Sequence, residues 1–230
     1  VLLAPTTLLA QQHFDTFKKR LPAISNQIVL LSRFTAAPEK KKIYQAITSR
    51  QAKIIIGTSS LLSSHIKWNQ PGLFIIDEEQ RFGVKQKEYF KKIRNSIDIL
   101  SLTATPIPRT LYLSLSGLKC LSVINTPPPG RKNIKTIIKP LDDKLISQAI
   151  SRELKRKGQV FAITPKIRHL SSLLKKMQAI APTARIAFAH AQLPDRKLAE
   201  TMHRFYLGKI DVLLCTTIIA SGLDLPNTNT

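Results

Sequence analysis

The sequence predicts an α/β protein built from parallel sheets flanked by helices, and three observations predict it. Short apolar runs rich in β-branched residues alternate with amphipathic stretches along the whole chain, the rhythm of successive βαβ units. The run Leu73-Phe74-Ile75-Ile76, introduced by Pro71-Gly72, is apolar in consecutive positions, as a strand covered on both faces requires. That run ends in Asp77-Glu78-Glu79-Gln80. Adjacent carboxylates do not belong inside such a sheet, so they mark its carboxyl edge, where open α/β sheets place their ligands.

Taken in order, the apolar runs place strands at 1–4, 28–31, 53–57, 73–77, 98–103 and 121–125, then at 135–139, 159–164, 185–189 and 211–215. The stretches between them predict helices at 7–20, 38–50, 85–94, 108–116, 143–157, 168–180 and 194–207. Five of the strands run into segments rich in Thr, Gly or Pro. Ala4-Pro5-Thr6-Thr7-Leu8 opens the first helix, and its free N–H groups and hydroxyls suit a phosphate. Ile56-Gly57-Thr58 closes the third strand before Ser59-Ser60-Leu61-Leu62 opens another helix, with the same capacity. Asp77-Glu78-Glu79-Gln80 follows the fourth. Leu102-Thr103-Ala104-Thr105-Pro106-Ile107-Pro108-Arg109-Thr110 is a strand running into a rigid turn. The last is Leu214-Cys215-Thr216-Thr217, continuing to Ser221-Gly222-Leu223-Asp224-Leu225-Pro226. Ser and Thr are also the commonest helix caps, so each segment alone has a purely structural reading.

At the carboxyl edge an acidic pair can do phosphate chemistry. One carboxylate holds a hydrated Mg²⁺ and its neighbour polarises a water for attack on a phosphate. Between the two halves, Thr126-Pro127-Pro128-Pro129-Gly130-Arg131 reads as a linker, because three prolines in a row continue neither a helix nor a ladder. The division this implies is 1–126, a linker at 127–137, and 138–230.

Charge adds a partner class. The chain carries 36 Lys and Arg against 14 Asp and Glu, a formal charge of +22. Residues 1–137 hold 21 basic and 7 acidic side chains and the remainder 15 and 7, so the excess is spread over both halves. Such a field attracts polyanions and makes their binding steeply salt-dependent, although a ribosome-associated protein would carry the same charge. The runs Lys18-Lys19-Arg20, Lys40-Lys41-Lys42 and Lys155-Arg156-Lys157 are expected on solvated helix faces. Trp68 beside Lys67 is expected to be packing. Cys120 and Cys215 lie far apart, and His13, His65, His169, His190 and His203 form no metal-ligand spacing; a reducing compartment without structural zinc is the expectation. No apolar run reaches the roughly 18 residues of a membrane span, and no signal peptide opens the chain, so the expected location is cytoplasmic, with no membrane partner.

In this order and spacing the five segments resemble the superfamily 2 helicases and nucleic-acid translocases, from motif Ia to motif V across essentially the whole chain. The resemblance implies two RecA-like domains that bind ATP and Mg²⁺ in their cleft and a nucleic-acid strand across their tops. It implies Asp77 as the magnesium partner (through water) and Glu78 as catalytic base, with Gln80 coupling this box to the next motif. Thr103 and Thr105 match the motif that links hydrolysis to movement. Thr6, Gly57, Thr58 and Thr216 match residues that touch the nucleic-acid backbone, and Gly222 and Asp224 match the nucleotide and domain interface. Arg109 and His190 are further candidates for contact with DNA.

Longer strings narrow the family. Asp77-Glu78-Glu79-Gln80-Arg81-Phe82-Gly83-Val84-Lys85 and Thr103-Ala104-Thr105-Pro106-Ile107-Pro108-Arg109-Thr110 resemble the double-stranded-DNA translocases that include the transcription-repair coupling type and the RecG-type branch-migration helicases. Pro5 to His13, Ser32-Arg33-Phe34 and Glu79 favour the coupling type; Pro128-Pro129-Gly130-Arg131-Lys132 leans to the RecG type. By resemblance the coupling type acts on stalled RNA polymerase and excision-repair proteins, through regions outside this chain. A non-catalytic DNA-binding remnant is the alternative from another class. Both ends read as cut, and both domains are expected to be incomplete. The 230 residues hold neither a Gly-Lys-Thr phosphate loop nor an arginine-rich motif VI. The piece alone is therefore expected to hydrolyse ATP negligibly.

Overall fold

The computed structural model describes residues 1–93, 96–104, 120–127, 134–140, 142–190, 192–216, 225 and 227–230. The first sheet consists of β1 (Leu2–Leu3), β2 (Ile28–Leu31), β3 (Ile54–Gly57), β4 (Leu73–Asp77) and β5 (Asp98–Leu102). All its ladders are parallel, in the order β2-β3-β1-β4-β5. Helices α1 (Thr7–Arg20), α2 (Ala37–Thr48) and α3 (Val84–Ile93) form the crossovers among them.

Alternation along the strands sends neighbours to opposite faces. Leu2 and Ile56, partners in register, join Leu9, Ala10 and Ile28 in a core under α1. Leu3, Ile55 and Ile76 point the other way, into a core with Ile43, Ile47, Phe82 and Phe90 from the α2 and α3 side. Both faces are thus covered, which explains the unbroken apolar run of β4.

The second sheet consists of β6 (Val160–Ile163), β7 (Ile186–Ala189) and β8 (Val212–Cys215), parallel and ordered β6-β8-β7. It packs between α4 (Asp143–Lys155) and α5 (Leu170–Ile180) on one face and α6 (Asp195–Tyr206) on the other. Asp142 caps α4, accepting from the Lys144 N–H at 2.9 Å. The Gln159 amide, buried at the foot of β6, donates to the carbonyls of Phe205 at 2.7 Å and Ile210 at 2.6 Å, tying α6 to the sheet. Leu8 of α1 packs against the cluster of Ala189, Met202, Phe205 and Leu213, and α1 also meets α6.

Three expectations are corrected. Residues 121–125 and 135–139 form no strand, and Leu121, Val123, Ile124, Ile137 and Ile138 are exposed. A strand needs a ladder partner as well as apolar side chains, and neither segment pairs with β5 or with the second sheet. The helix expected from Ser59 is a single 3-10 turn, Ser59–Leu62, because Ser63 returns to extended backbone at φ −67°, ψ 139°. Helix 108–116 lies outside the described residues, as do Pro128 to Asn133 of the proposed linker. The lysine runs do face solvent, apart from a half-buried Lys40. Trp68 is packing: it meets Phe74 edge to face at 5.1 Å, and its indole N–H donates to the Tyr89 hydroxyl at 3.2 Å.

Candidate functional site

Register brings the predicted residues into rows. Leu3 pairs with Gly57 and Ile76, and Gly57 pairs with Leu31. The next residue of each strand therefore stands on one edge: Ala4, Thr58, Asp77 and Ser32. Asp77 in turn pairs with Leu102, so Glu78 and Thr103 occupy the following level. In the second sheet Ile163, Cys215 and Ala189 are in register, which places Thr164, Thr216 and His190 along its carboxyl edge.

The acidic turn has an unusual backbone. Glu78 lies in the left-handed region at φ 53°, ψ 52°, which costs a residue other than glycine roughly 1–2 kcal/mol. Its N–H donates to the Leu102 carbonyl at 2.9 Å, and its carbonyl accepts from Arg81 at 2.9 Å. The turn folds the Glu78 side chain inward, where it is buried and accepts a hydrogen bond from the Gln80 amide. A strained, polar, buried residue at a strand end is what a functional turn retains. Sequence reasoning placed Glu78 and Gln80 here but had no means of reading the left-handed backbone.

Asp77 has a partner that the sequence reading missed. The His13 Nε2 lies 2.8 Å from an Asp77 carboxylate oxygen, with the side chains 27% and 18% exposed. His13 projects from α1, and the pair joins positions 64 residues apart. The signal available in the sequence was spacing: His13 is seven positions after Thr6, two helical turns along one face.

Gly57 and Thr58 are placed by packing. A Cβ on Gly57 would stand 2.2 Å from the Leu31 carbonyl oxygen and 2.9 Å from Leu61 Cγ, so only glycine lets β2 and the following turn close together. Thr58 is buried, its N–H donating to Leu31 at 3.2 Å. Thr6 is exposed and caps α1, its hydroxyl accepting from the Leu9 N–H at 3.2 Å. Thr103 is exposed at the end of β5. Thr216 is buried beside Cys215, whose thiol burial pushes up to about 11, leaving it neutral and without nucleophilic character. The His190 ring stacks on Phe188 at 5.8 Å, and its buried Nδ1 has no hydrogen-bond partner among the described residues. Thr105, Arg109, Gly222 and Asp224 lie outside the described residues.

Among the described residues no three His, Cys, Asp or Glu side chains gather as a metal cage. The Asp77 carboxylate, partly exposed, fits an ion such as Mg²⁺ held through water, since that ion keeps most of its waters and takes one or two carboxylates with phosphate oxygens. No described helix is long and apolar enough to cross a membrane.

Acidic, hydroxyl and glycine residues along the carboxyl edges of parallel sheets stand where open α/β folds place their ligands, and comparison with known proteins gives the family. The DEAD/DEAH box helicase family matches residues 1–113, and the helicase conserved C-terminal domain matches residues 142–230. The chain belongs to the superfamily 2 helicases and translocases. More particularly, it is 45% identical over its whole length to the transcription-repair-coupling factor of Haemophilus influenzae and 43% identical to that of Escherichia coli. It spans only 20% of the length of either relative. Among solved structures, RecG bound to a three-way DNA junction superposes with a TM-score of 0.76 at 30% identity, covering 99% of this chain and 30% of that one. The fold is shared more widely: Mycobacterium smegmatis helicase Lhr bound to ssDNA and AMP-PNP gives a TM-score of 0.65 at 15% identity over 99% of this chain and 35% of its own.

Proposed function

We propose that this chain is the central part of an ATP-driven double-stranded DNA translocase of the transcription-repair coupling type, acting in DNA repair in the cytoplasm. The observation that carries the reading is the acidic turn: Asp77 and Glu78 stand at the carboxyl edge, with Glu78 turned inward and held by Gln80. The whole-chain identity to coupling factors supports it.

Asp77 would hold Mg²⁺ through water, and Glu78 would accept the proton of the water that attacks the terminal phosphate. Gln80 fixes the Glu78 carboxylate and reports its position to the Thr103 and Thr105 segment. When bound, Mg²⁺ offsets the charge on the phosphate oxygens. Thr6, Gly57, Thr58, Thr216, Arg109 and His190 line the DNA path, and Gly222 and Asp224 meet the nucleotide at the interface. The two sheets and the two matched segments support domains at 1–126 and 138–230 with a linker at 127–137. Opening and closing of the two domains moves the protein along the duplex. RNA polymerase and excision-repair proteins are engaged through regions outside this chain.

The chain holds no phosphate-loop lysine and no motif VI arginine, so most of the transition-state stabilisation is missing from it. Alone it hydrolyses ATP negligibly; DNA-stimulated turnover by the purified 230-residue chain would overturn that statement.

A second reading has its own support. The similarity to junction-bound RecG favours branch migration at stalled forks. The full-length protein that contains this chain discriminates. ATP-dependent release of RNA polymerase from a stalled transcription complex, with little action on three-way junctions, is the expected result. The reverse pattern establishes the branch-migration reading. Duplex binding with neither activity reduces the protein to a DNA-binding remnant.

A further inference from the structure

Helix α1 reaches the site and the second sheet at three points. Its cap, Thr6, stands exposed at the carboxyl edge of the first sheet. Leu8, in its first turn, packs against the Ala189, Met202, Phe205 and Leu213 cluster of the second sheet. His13, two turns along, reaches the Asp77 carboxylate at 2.8 Å. Leu9 and Ala10 are fully packed against the first sheet, so the helix cannot bend between these contacts without opening that core. The three points lie within roughly 10 Å of helix axis, at 1.5 Å per residue.

From this we infer that α1 couples the polyanion edge to the nucleotide site, and that His13 is the positioning residue through which it does so. The inference rests on the reading of Asp77 as a magnesium partner and of the Thr6 edge as the duplex path. His13 touches neither phosphate nor metal. Its Nε2–H donates to one Asp77 oxygen and thereby sets the direction in which the carboxylate presents its other oxygen. A duplex engaged at Thr6, or a change in the seating of the second sheet on Leu8, shifts α1 as one body. The shift is delivered to Asp77 through a single hydrogen bond. Energetic coupling of this kind is reciprocal: whatever the duplex does to nucleotide affinity, the nucleotide does to duplex affinity.

The test reads binding rather than turnover. In the full-length protein, the affinity for a non-hydrolysable ATP analogue is measured by calorimetry with Mg²⁺ present, with and without a random 30-base-pair duplex. The ratio of the two affinities is the coupling factor. His13→Ala should lower that factor roughly fivefold, the worth of one hydrogen bond, and His13→Gln, which can supply an N–H at similar reach, should restore most of it. Thermal unfolding is followed in parallel. A His13→Ala protein that melts earlier but keeps its coupling factor would overturn the inference and leave His13 a structural contact. A His13→Gln protein no better than His13→Ala, at equal stability, would also overturn it, because a replaced hydrogen bond should be felt. If the unsubstituted protein binds no Mg²⁺-nucleotide, the functional reading itself fails, which is a separate result.

Discussion

Replacing Gly57 by alanine is a sharp test of how the first sheet builds its functional edge. The added methyl would stand 2.2 Å from the Leu31 carbonyl oxygen, and 2.9 and 3.0 Å from Leu61 Cγ and Cδ1. Contacts under 3 Å must be relieved, and here little can move. The Leu31 carbonyl belongs to the β2–β3 pairing and accepts the Thr58 N–H, while Leu61 is completely buried. Overpacking of a rigid site costs about 1–3 kcal/mol, and because backbone is the obstacle the upper end applies. At about 2–4 °C per kcal/mol for a chain of this size, Gly57→Ala should lower Tm by roughly 6–12 °C. Circular dichroism melts and urea midpoints measure this, with duplex affinity followed alongside. A variant melting within about 2 °C of the unsubstituted chain would refute the close-approach argument. Loss of duplex binding without loss of stability would instead place the need for glycine at the DNA.

Other outcomes follow from the same structure. Phe205 is fully buried, 5.0 Å ring to ring from Phe161, so Phe205→Ala should cost about 3–5 kcal/mol, read as a urea midpoint shift. Asp211 is held below its ordinary 3.8 by hydrogen bonds from Arg185, so its contribution is present above that value and is lost as pH falls through its lower folded pKa. The stability gap between the unsubstituted chain and Asp211→Asn should therefore be flat at neutral and mildly acid pH and narrow only below 3.8; a gap that closes already at pH 6 contradicts the assignment. The formal charge of +22 predicts that random-duplex affinity falls by at least roughly 100-fold between about 50 and 200 mM salt, measurable by fluorescence anisotropy.

Much of this was legible in the sequence because parallel α/β units write themselves strongly. The strand expected at 53–57 forms at Ile54–Gly57, the 73–77 strand forms at Leu73–Asp77, and the helix at 7–20 forms at Thr7–Arg20. Each is an apolar or amphipathic run closed by Gly, Pro or a cap. The failures at 121–125 and 135–139 share one cause: apolar content alone does not make a strand, and pairing is decided by which edge is within reach. The site was legible as far as its order along the chain, since Asp77, Glu78 and Thr58 sit at strand ends in the predicted sequence. What the order could not convey was geometry. The His13–Asp77 contact joins elements far apart in sequence, and the left-handed Glu78 is a local strain that no spacing announces. Gly57, read by resemblance as a contact to DNA, proved to have a packing reason that holds without any ligand.

In the proposed function Asp77 and Glu78 drive motion along double-stranded DNA. Displacement of a third strand from a linear duplex by the full-length protein tests it directly, because only travel along the duplex removes that strand. The unsubstituted protein should displace it with ATP and not with a non-hydrolysable analogue. Glu78→Gln should bind the duplex normally while displacing at least roughly 100-fold more slowly, the worth of a general base. Displacement by Glu78→Gln at the unsubstituted rate, or duplex binding by the unsubstituted protein without any ATP-dependent displacement, would contradict the account.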